Sequence, residues 1–460
     1  MVFALFGFWY CFTSGGADLM VSEETTVITE PLKSDGKTVD FFRAIQTMTE
    51  PEIPANENGF RDIVLGYGEA VFEADVNRRD SRKDYLAMCT HLGIDPQTPP
   101  ELSVSSTHNA ASDIHRWLDQ VGKGLDVIQT AVAKPHYFVP MIRQSEKDLV
   151  LMSQPFAVYE FHGELSDALQ TRAQFLLLSK KTAEGWNDIL ASIRLFRYVT
   201  IYQAWLEAIT SGETQLLSPV IDVSPACEHW TPEQLSQAIK DLESLPNWQD
   251  RKTALTILQY TLLDIISATN DLDGLSRSLP REVREMADVL RVIAFDWNLV
   301  AKELNHEINA YGELLERAEG KRLDDQFDML HLRQLGERQR DMALNKDVLP
   351  EFVRDHIESG GSLDILFTSG RSKLTGALAG KILVSWAAGE LYRIQLMEET
   401  RCQALRLVLA LELYHRENQK YPDSLEELHL KAMPVNMYLE YGKQGEGYRL
   451  MNKVFQLEKQ

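Results

Sequence analysis

The chain has 460 residues, of which 44% are hydrophobic, so it can fill a core and general intrinsic disorder is excluded. Its 68 Asp and Glu residues outnumber 47 Lys and Arg residues, which gives a formal net charge of -21. Such a charge repels phosphate backbones and anionic lipid headgroups at long range, so we expect no nucleic-acid partner.

The N-terminal segment, residues 1–20, starts with the uncharged apolar run Met1 to Phe12. This run is shorter than the roughly 20 apolar residues of a spanning helix, and it lacks the basic start of a signal peptide. Three interpretations remain open: an anchor whose true start lies upstream, a weak anchor, or an apolar arm packed on the body. We interpret it as a membrane tether, followed by a polar linker over residues 21–57.

A helical body is predicted over residues 58–400, where apolar residues recur at three- and four-residue spacing between turn residues. The clearest helix start is Thr231, whose side chain can cap the backbone of Gln234 in a capping box. Pro232 occupies the first helical position, where its missing N–H costs nothing, and Pro246 closes the segment.

Further helices follow from the same spacing. Two apolar stripes, 165–176 and 186–197, flank a short break at 180–185 and predict an antiparallel helical hairpin. A longer pattern from 283 to 315 predicts a spine helix, and the glycine-rich stretch 360–380 a connection. The fold class predicted from these patterns is mainly α, an array or bundle of antiparallel helices with a small C-terminal α+β hairpin tail.

The C-terminal tail, residues 401–460, differs from the body. The nearly uncharged run 404–414 predicts a helix that is covered on most of its circumference. After a turn, Ser424 and Glu427 can form a second capping box. Short aromatic runs separated by glycines then predict a β-hairpin, 438–441 with 448–451.

The tail carries a resemblance to a known family. Arg401 to Ala404, Leu411 to Asn418 and Tyr421 to Leu428 resemble the tail pattern "A…LALYR.E.G.YP.SL.EL" of a poorly characterised family of bacterial membrane-anchored helical envelope proteins. Members typically begin with one transmembrane helix and have no established catalytic residues. The resemblance therefore implies a tethered N-terminus and transfers no site residue.

The same tail is similar to the segment that follows the long helix of type II secretion pseudopilins. Those proteins often end in an acidic calcium-binding loop, which the residues 454–460 of this chain do not match. The pseudopilin processing site and filament-forming helix are also missing at the start, which argues against a filament subunit.

Two Glu-x-x-His pairs give the sharpest catalytic hypothesis: Glu303 with His306, and Glu412 with His415. This spacing places a carboxylate and an imidazole on one helix face, as in carboxylate-bridged di-iron bundles. Such a site also needs two further inward-facing glutamates, and an acidic chain supplies pairs of this kind by chance. We therefore assign no metal, catalytic or cofactor-binding residue.

Other motif searches give no chemistry. The segment 376–381 has the wrong glycine spacing for a phosphate loop, and no Gly-x-Ser-x-Gly elbow occurs. The cysteines form no Cys-x-x-Cys pair, which excludes a zinc knuckle and a thioredoxin-like motif. They lie far apart, at Cys11, Cys89, Cys227 and Cys402.

These observations favour a non-enzymatic, membrane-tethered envelope protein that offers a surface or groove to an unknown protein partner. We expect it at the cell membrane through its N-terminus, with the body in the periplasm or outside the cell; the other location is the cytoplasm. Two alternatives stay open: an enzyme whose site is assembled from residues distant in sequence, and a secretion-system accessory protein.

Overall fold

The computed structural model describes most of the helical body and parts of the tail. Several of the sequence predictions lie outside the described residues, among them the N-terminal apolar run, the first part of the spine helix and, apart from Ser372, the glycine-rich stretch. The described residues are 19–50, 52–73, 81–97, 100, 114–146, 148–150, 156–210, 227, 229–245, 251–267, 296–318, 372, 385–428, 439–444 and 447–452.

The described residues are mainly helical, which confirms the predicted fold class. The α-helices are α1 Phe41–Thr49, α2 Gly59–Tyr67, α3 Ser81–Leu92, α4 Ile114–Val132, α5 Phe156–Leu178, α6 Thr182–Thr210, α7 Pro232–Glu243, α8 Arg251–Ser267, α9 Trp297–Ala318 and α10 Ser385–Asn418. Short 3-10 helices cover Ala55–Glu57, Gly68–Phe72 and Leu425–Leu428. The strands are β1 Leu439–Gln444 and β2 Gly447–Asn452.

Helices α5 and α6 form the predicted helical hairpin and pack along their length. The turn between them is shorter than predicted, because α6 begins at Thr182. Gly185 lies inside α6, not in the turn. A Cβ atom there would lie 2.9 Å from Leu177 Cγ and 3.0 Å from the Ala173 carbonyl oxygen. The sequence shows a glycine as a break, whereas here it allows two helices to approach closely.

The main hydrophobic core lies among helices α1 to α6, α8 and α9. Helix α2 packs on α4, and α8 packs on both α1 and α9. Several of its largest side chains are almost fully excluded from water, which stabilises the body through the hydrophobic effect. They include Phe41, Ile45, Phe60, Ile63, Met88, Leu125, Ile128, Tyr159 and Leu169.

The segment 21–57, predicted as a polar linker, is folded onto the body wherever the structure describes it. Helix α1 starts at the N-cap Asp40 and buries Phe41 and Ile45, both 0% exposed. The Asp40 carboxylate also accepts two hydrogen bonds from Arg143, of 2.6 and 2.8 Å. The linker prediction is therefore corrected. The segment is polar on average, but it contains the short amphipathic helix α1.

Polar contacts fix the chain upstream of α1. Lys33 Nζ lies 3.2 Å from the buried carboxylate of Asp264 on α8. The Asn305 side chain on α9 donates to the carbonyl oxygens of Glu24 and Thr25, both at 3.1 Å. Since these partners belong to the core helices, the segment is bound to the body before α1 begins.

The predicted capping box at the start of α7 is confirmed. The Thr231 hydroxyl accepts from the backbone N–H of Gln234 at 3.3 Å, and the Gln234 side chain accepts from the Thr231 N–H at 2.9 Å. Trp230 packs edge-on against Trp186 of α6, with ring centroids 5.5 Å apart. The box therefore fixes the start of α7, and the neighbouring Trp230 contacts α6.

Replacing Thr231 by alanine should lower the free energy of unfolding by about 1 kcal/mol, because the Gln234 N–H loses its acceptor at the helix start. Urea unfolding followed by circular dichroism measures the change. Thr231→Ser keeps the hydroxyl and should retain most of the stability. Equal losses in both variants would show that the hydroxyl cap contributes nothing.

Helix α10 crosses the predicted boundary between body and tail at residue 400 without interruption. Its C-terminal half is covered on two sides, as predicted for 404–414. Leu409 and Ala410 lie in a second core with α6 and α7, while Leu407 and Leu411 contact the tail. The helix ends at Asn418, and Gln419 follows with a φ of 59°.

The tail after α10 is a turn followed by the predicted hairpin. Strands β1 and β2 pair antiparallel, with Tyr441 opposite Leu450. The segment after Ser424 is a single 3-10 turn, Leu425–Leu428. Glu427 still reaches back to accept from the Ser424 N–H at 3.2 Å, which is one half of the predicted capping box.

Within the described part of the chain, no helix combines the length and apolar character needed to cross a bilayer. The apolar run that was interpreted as a tether, Met1 to Phe12, lies outside that part. Helix α9 begins at Trp297, and the earlier part of the predicted spine, from 283 to 295, is also outside the described residues.

Candidate functional site

An open groove of about 640 Å³ lies where α7, the end of α10 and the 3-10 turn after it meet. All the lining residues on α10 and on the turn belong to or border the tail motif that carries the family resemblance. The lining residues are Ile239, Ala410, Leu413, Tyr414, Glu417, Asn418, Glu426, Glu427 and Leu428.

The floor of the groove is apolar and is fixed by contacts between α7 and its neighbours. Ile239 and Ala410 belong to the second core, and Leu413 and Leu428 pack against it. Arg406 of α10 pairs with Glu243 at the C-terminal end of α7. The two helices that form the floor are therefore held together by packing and by an ion pair.

The rim is formed by three glutamates, of which Glu427 has a structural role. Its Oε2 accepts from the Tyr414 hydroxyl at 2.7 Å, and its Oε1 accepts from the N–H groups of Asp423 and Ser424 at 2.9 and 3.2 Å. These hydrogen bonds lower the pKa of Glu427, and the one from Tyr414 has the largest effect. Glu427 is therefore ionised at neutral pH and holds the turn against α10.

The other two rim carboxylates face water. Glu417 and Glu426 are exposed, and a hydrogen bond from Ser424 lowers the pKa of Glu426. Among the residues that the structure describes, the groove lining contains no lysine or arginine. Close by, Lys443 pairs with Asp423 at 2.5 Å. The groove therefore combines an apolar floor with a negatively charged rim.

Aromatic contacts hold the turn and the hairpin in place beside the groove. The Tyr421 hydroxyl donates to Glu412 at 2.9 Å, and the Tyr421 ring stacks on His415 with centroids 4.4 Å apart. The Tyr441 hydroxyl of β1 donates to the Pro422 carbonyl at 2.7 Å. The second Glu-x-x-His pair of the metal hypothesis thus contacts Tyr421.

The first pair of that hypothesis lies on the outer side of α9, where Glu303 is half-buried and His306 is exposed. Across the residues that the structure describes, no three His, Cys, Asp or Glu side chains are grouped so that they could hold a metal ion. The phosphate-loop candidate, 376–381, lies outside the described residues.

Sequence reasoning missed a buried charge cluster between α4, α5 and α6. Arg172 donates to the fully buried Asp188 through Nε at 2.8 Å and Nη2 at 2.7 Å. Its Nη1 donates to Asp126 at 2.7 Å and to the Gly122 carbonyl at 3.0 Å, while Gln129 also donates to Asp188. The charged groups of the cluster pair with one another. Because these pairs join α4, α5 and α6, they fix the orientation of the three helices.

The sequence contains a weak signal for this pair. Arg172 directly precedes Ala173 in one apolar stripe, and Asp188 directly precedes Ile189 in the next. A charged residue beside the core position of each helix of a predicted hairpin could have indicated a buried ion pair. The sequence alone, however, does not fix which residues of the two helices are opposite each other.

A second missed cluster surrounds His162 of α5, which is 1% exposed. The Tyr137 hydroxyl and His162 Nε2 share a hydrogen bond, and the Phe60 ring lies 5.8 Å from the imidazole. Tyr137 stacks on Tyr198 with centroids 4.9 Å apart. Burial lowers the pKa of His162 to about 3, so its imidazole is neutral inside this aromatic cluster.

We expect this histidine to destabilise the fold in acid. The unfolded chain binds a proton at His162 near pH 6.5, whereas the folded chain binds it only near pH 3. The contribution of His162 to the free energy of unfolding is therefore fully present above pH 6.5. It is lost as the pH falls from 6.5 towards 3, by about 1.4 kcal/mol per pH unit. Urea unfolding at pH 6.5, 5.5 and 4.5 measures the slope.

His162→Gln removes the proton-binding group, so its stability should fall less steeply with decreasing pH than that of the wild type. His306→Gln, on the exposed face of α9, is the matched control and should keep the wild-type slope. An unchanged slope in His162→Gln would contradict the neutral buried histidine, whatever the absolute stability of the variant.

Comparisons with known proteins add no assignment to the groove, so its interpretation depends on its geometry. The chain matches no protein-family model, no curated protein and no solved structure.

Proposed function

We propose that this protein is a non-enzymatic envelope protein, tethered to the membrane by its N-terminus, that binds a protein partner through the groove between α7 and α10. The single observation that carries the proposal is that the tail motif builds this groove. Leu413, Tyr414 and Glu417 of the motif's helix, and the turn from Glu426 to Leu428, all line it.

The hydrogen bonds around the groove support a binding role. Tyr414 and Glu427 join α10 to the turn, and Tyr421 joins the same turn to Glu412. The polar groups of the motif thus maintain the shape of the groove, and its apolar floor remains open to a ligand. A preformed concave surface with an apolar floor is typical of a recognition site.

The start of the described chain supports a tether close to the body. The backbone N–H of Met20 donates to Asn298 of α9 at 2.7 Å, and the Met20 side chain is 66% exposed. The chain therefore meets the surface of the body at the beginning of α9. Under the proposal, the apolar run Met1 to Phe12 is the tether, and only residues 13–19 separate it in the sequence from Met20.

Fractionation of natively expressed protein tests the proposal. We expect the protein in the membrane pellet, protected from added protease until the outer barrier is opened. A variant that lacks residues 2–12 should move to the soluble fraction and keep its helical circular dichroism spectrum. Finding the full-length protein soluble in the cytosol would contradict the proposed function.

A further inference from the structure

We infer that the groove binds a basic amphipathic segment of the partner, in which apolar side chains contact the floor and lysine or arginine side chains contact the rim. This inference rests on the proposed function and specifies the chemistry of the partner. It depends on two independent properties of the groove, the shape of its floor and the sign of the charge on its rim.

The floor accepts apolar side chains. Ile239 belongs to the buried face of α7, and it lines the groove together with Ala410 and Leu413 of α10 and Leu428 of the 3-10 turn. The volume of about 640 Å³ lies within the range of ligand sites, and the groove is open to solvent and not enclosed. An open apolar groove between helices suits a short segment whose apolar residues lie on one face.

The rim selects a positive charge. Glu417 and Glu426 are exposed on it, and Glu427 adds a third carboxylate whose charge is held in place by hydrogen bonds. Of the cationic groups closest in the sequence, Arg416 donates to the Cys227 carbonyl oxygen at 3.1 Å, and Lys420 is exposed three residues after Glu417. Further along the chain, Arg406 pairs with Glu243, and Lys443 with Asp423. An acidic segment would be repelled by the rim carboxylates, whereas a basic segment gains favourable interactions with them.

The overall charge acts in the same direction. The chain has a formal net charge of -21, so its long-range field accelerates the approach of a basic partner and opposes an anionic one. Anionic lipid headgroups therefore have the wrong sign for this groove. A small polyamine has the right sign, but it has no apolar side chains for the floor.

Fluorescence anisotropy with designed peptides tests the inference on the full chain. The probe is a fluorescein-labelled amphipathic 16-residue peptide with leucines on one face and lysines on the other, a length of about four helical turns. Two comparison peptides replace either the lysines by glutamate or the leucines by serine. We expect the basic amphipathic peptide to bind and both comparison peptides to bind at least about ten-fold more weakly.

Charge-reversed variants locate the binding site. Glu417→Lys combined with Glu426→Lys should weaken binding of the basic peptide by about ten-fold or more. The control is the double variant Asp119→Lys, Asp95→Lys, in which both positions are exposed and lie outside the groove. It changes the net charge by the same amount as the double rim variant. This control pair should lower affinity by less than about two-fold. Circular dichroism checks that all variants remain folded.

Three results would overturn the inference: equal binding of the glutamate peptide, equal loss of affinity in the rim and control variants, or full competition by spermidine at matched charge. Each of them concerns the chemistry of the groove. Failure of the proposed function would appear separately, as a cytosolic location of the natural protein in the fractionation experiment.

Discussion

Replacing Asp188 by alanine should lower the free energy of unfolding by about 3–5 kcal/mol, because Arg172 then keeps a buried charge without its main partner. Asp188 is 0% exposed and accepts from Arg172 at 2.7 and 2.8 Å. The loss should appear as a lower urea midpoint in circular dichroism at neutral pH.

Two further variants separate the ion pair from its surroundings. Asp126→Ala removes the other carboxylate beside Arg172, but the Asp126 side chain is 69% exposed, so the loss should stay below about 1 kcal/mol. The double variant Arg172→Met, Asp188→Leu removes both charges and should recover most of the stability. Equal losses for Asp188→Ala and Asp126→Ala would contradict the buried pair.

Replacing Phe41 by alanine should lower the free energy of unfolding by about 3–5 kcal/mol, since it removes a fully buried aromatic ring from the main core. The Phe41 ring lies 5.6 Å from the ring of Tyr260 on α8. This variant tests directly whether the segment 21–57 is part of the body. Urea unfolding measures the loss, and limited proteolysis shows whether cleavage shifts to this segment.

Met48→Ala is the matched control on the same helix. The Met48 side chain is 41% exposed, so its truncation should change the free energy of unfolding by less than about 0.5 kcal/mol. If Phe41→Ala were as stable as Met48→Ala, the segment would behave as the linker that its composition predicted.

The features that sequence reasoning predicted depend on local signals. The capping box at Thr231 and the hairpin of β1 and β2 each need only a few neighbouring residues in a suitable order. The helical periodicity of α5 and α6 is equally local. Helix α1 was missed, although Asp40 before Phe41 and Phe42 is an N-cap signal of the same kind. Averaging the composition over 21–57 hid it.

The candidate site was predictable only in part. The tail motif identified the surface of α10 and the turn, but the groove also needs Ile239 of α7, far away in the sequence. Nothing in the periodicity of α7 shows that it packs on α10. The same limit applies to Arg172 and Asp188, whose contact depends on the axial register of two helices.

Site-specific photo-crosslinking in native membranes tests most directly whether the groove binds a partner. A photoreactive amino acid at Asn418, which lines the groove, should give a discrete adduct that is lost when Glu417 and Glu426 are changed to lysine. The same amino acid at Asp119 should give no such adduct. Failure at Asn418, or an identical adduct at both positions, would contradict a partner-binding groove in a tethered envelope protein.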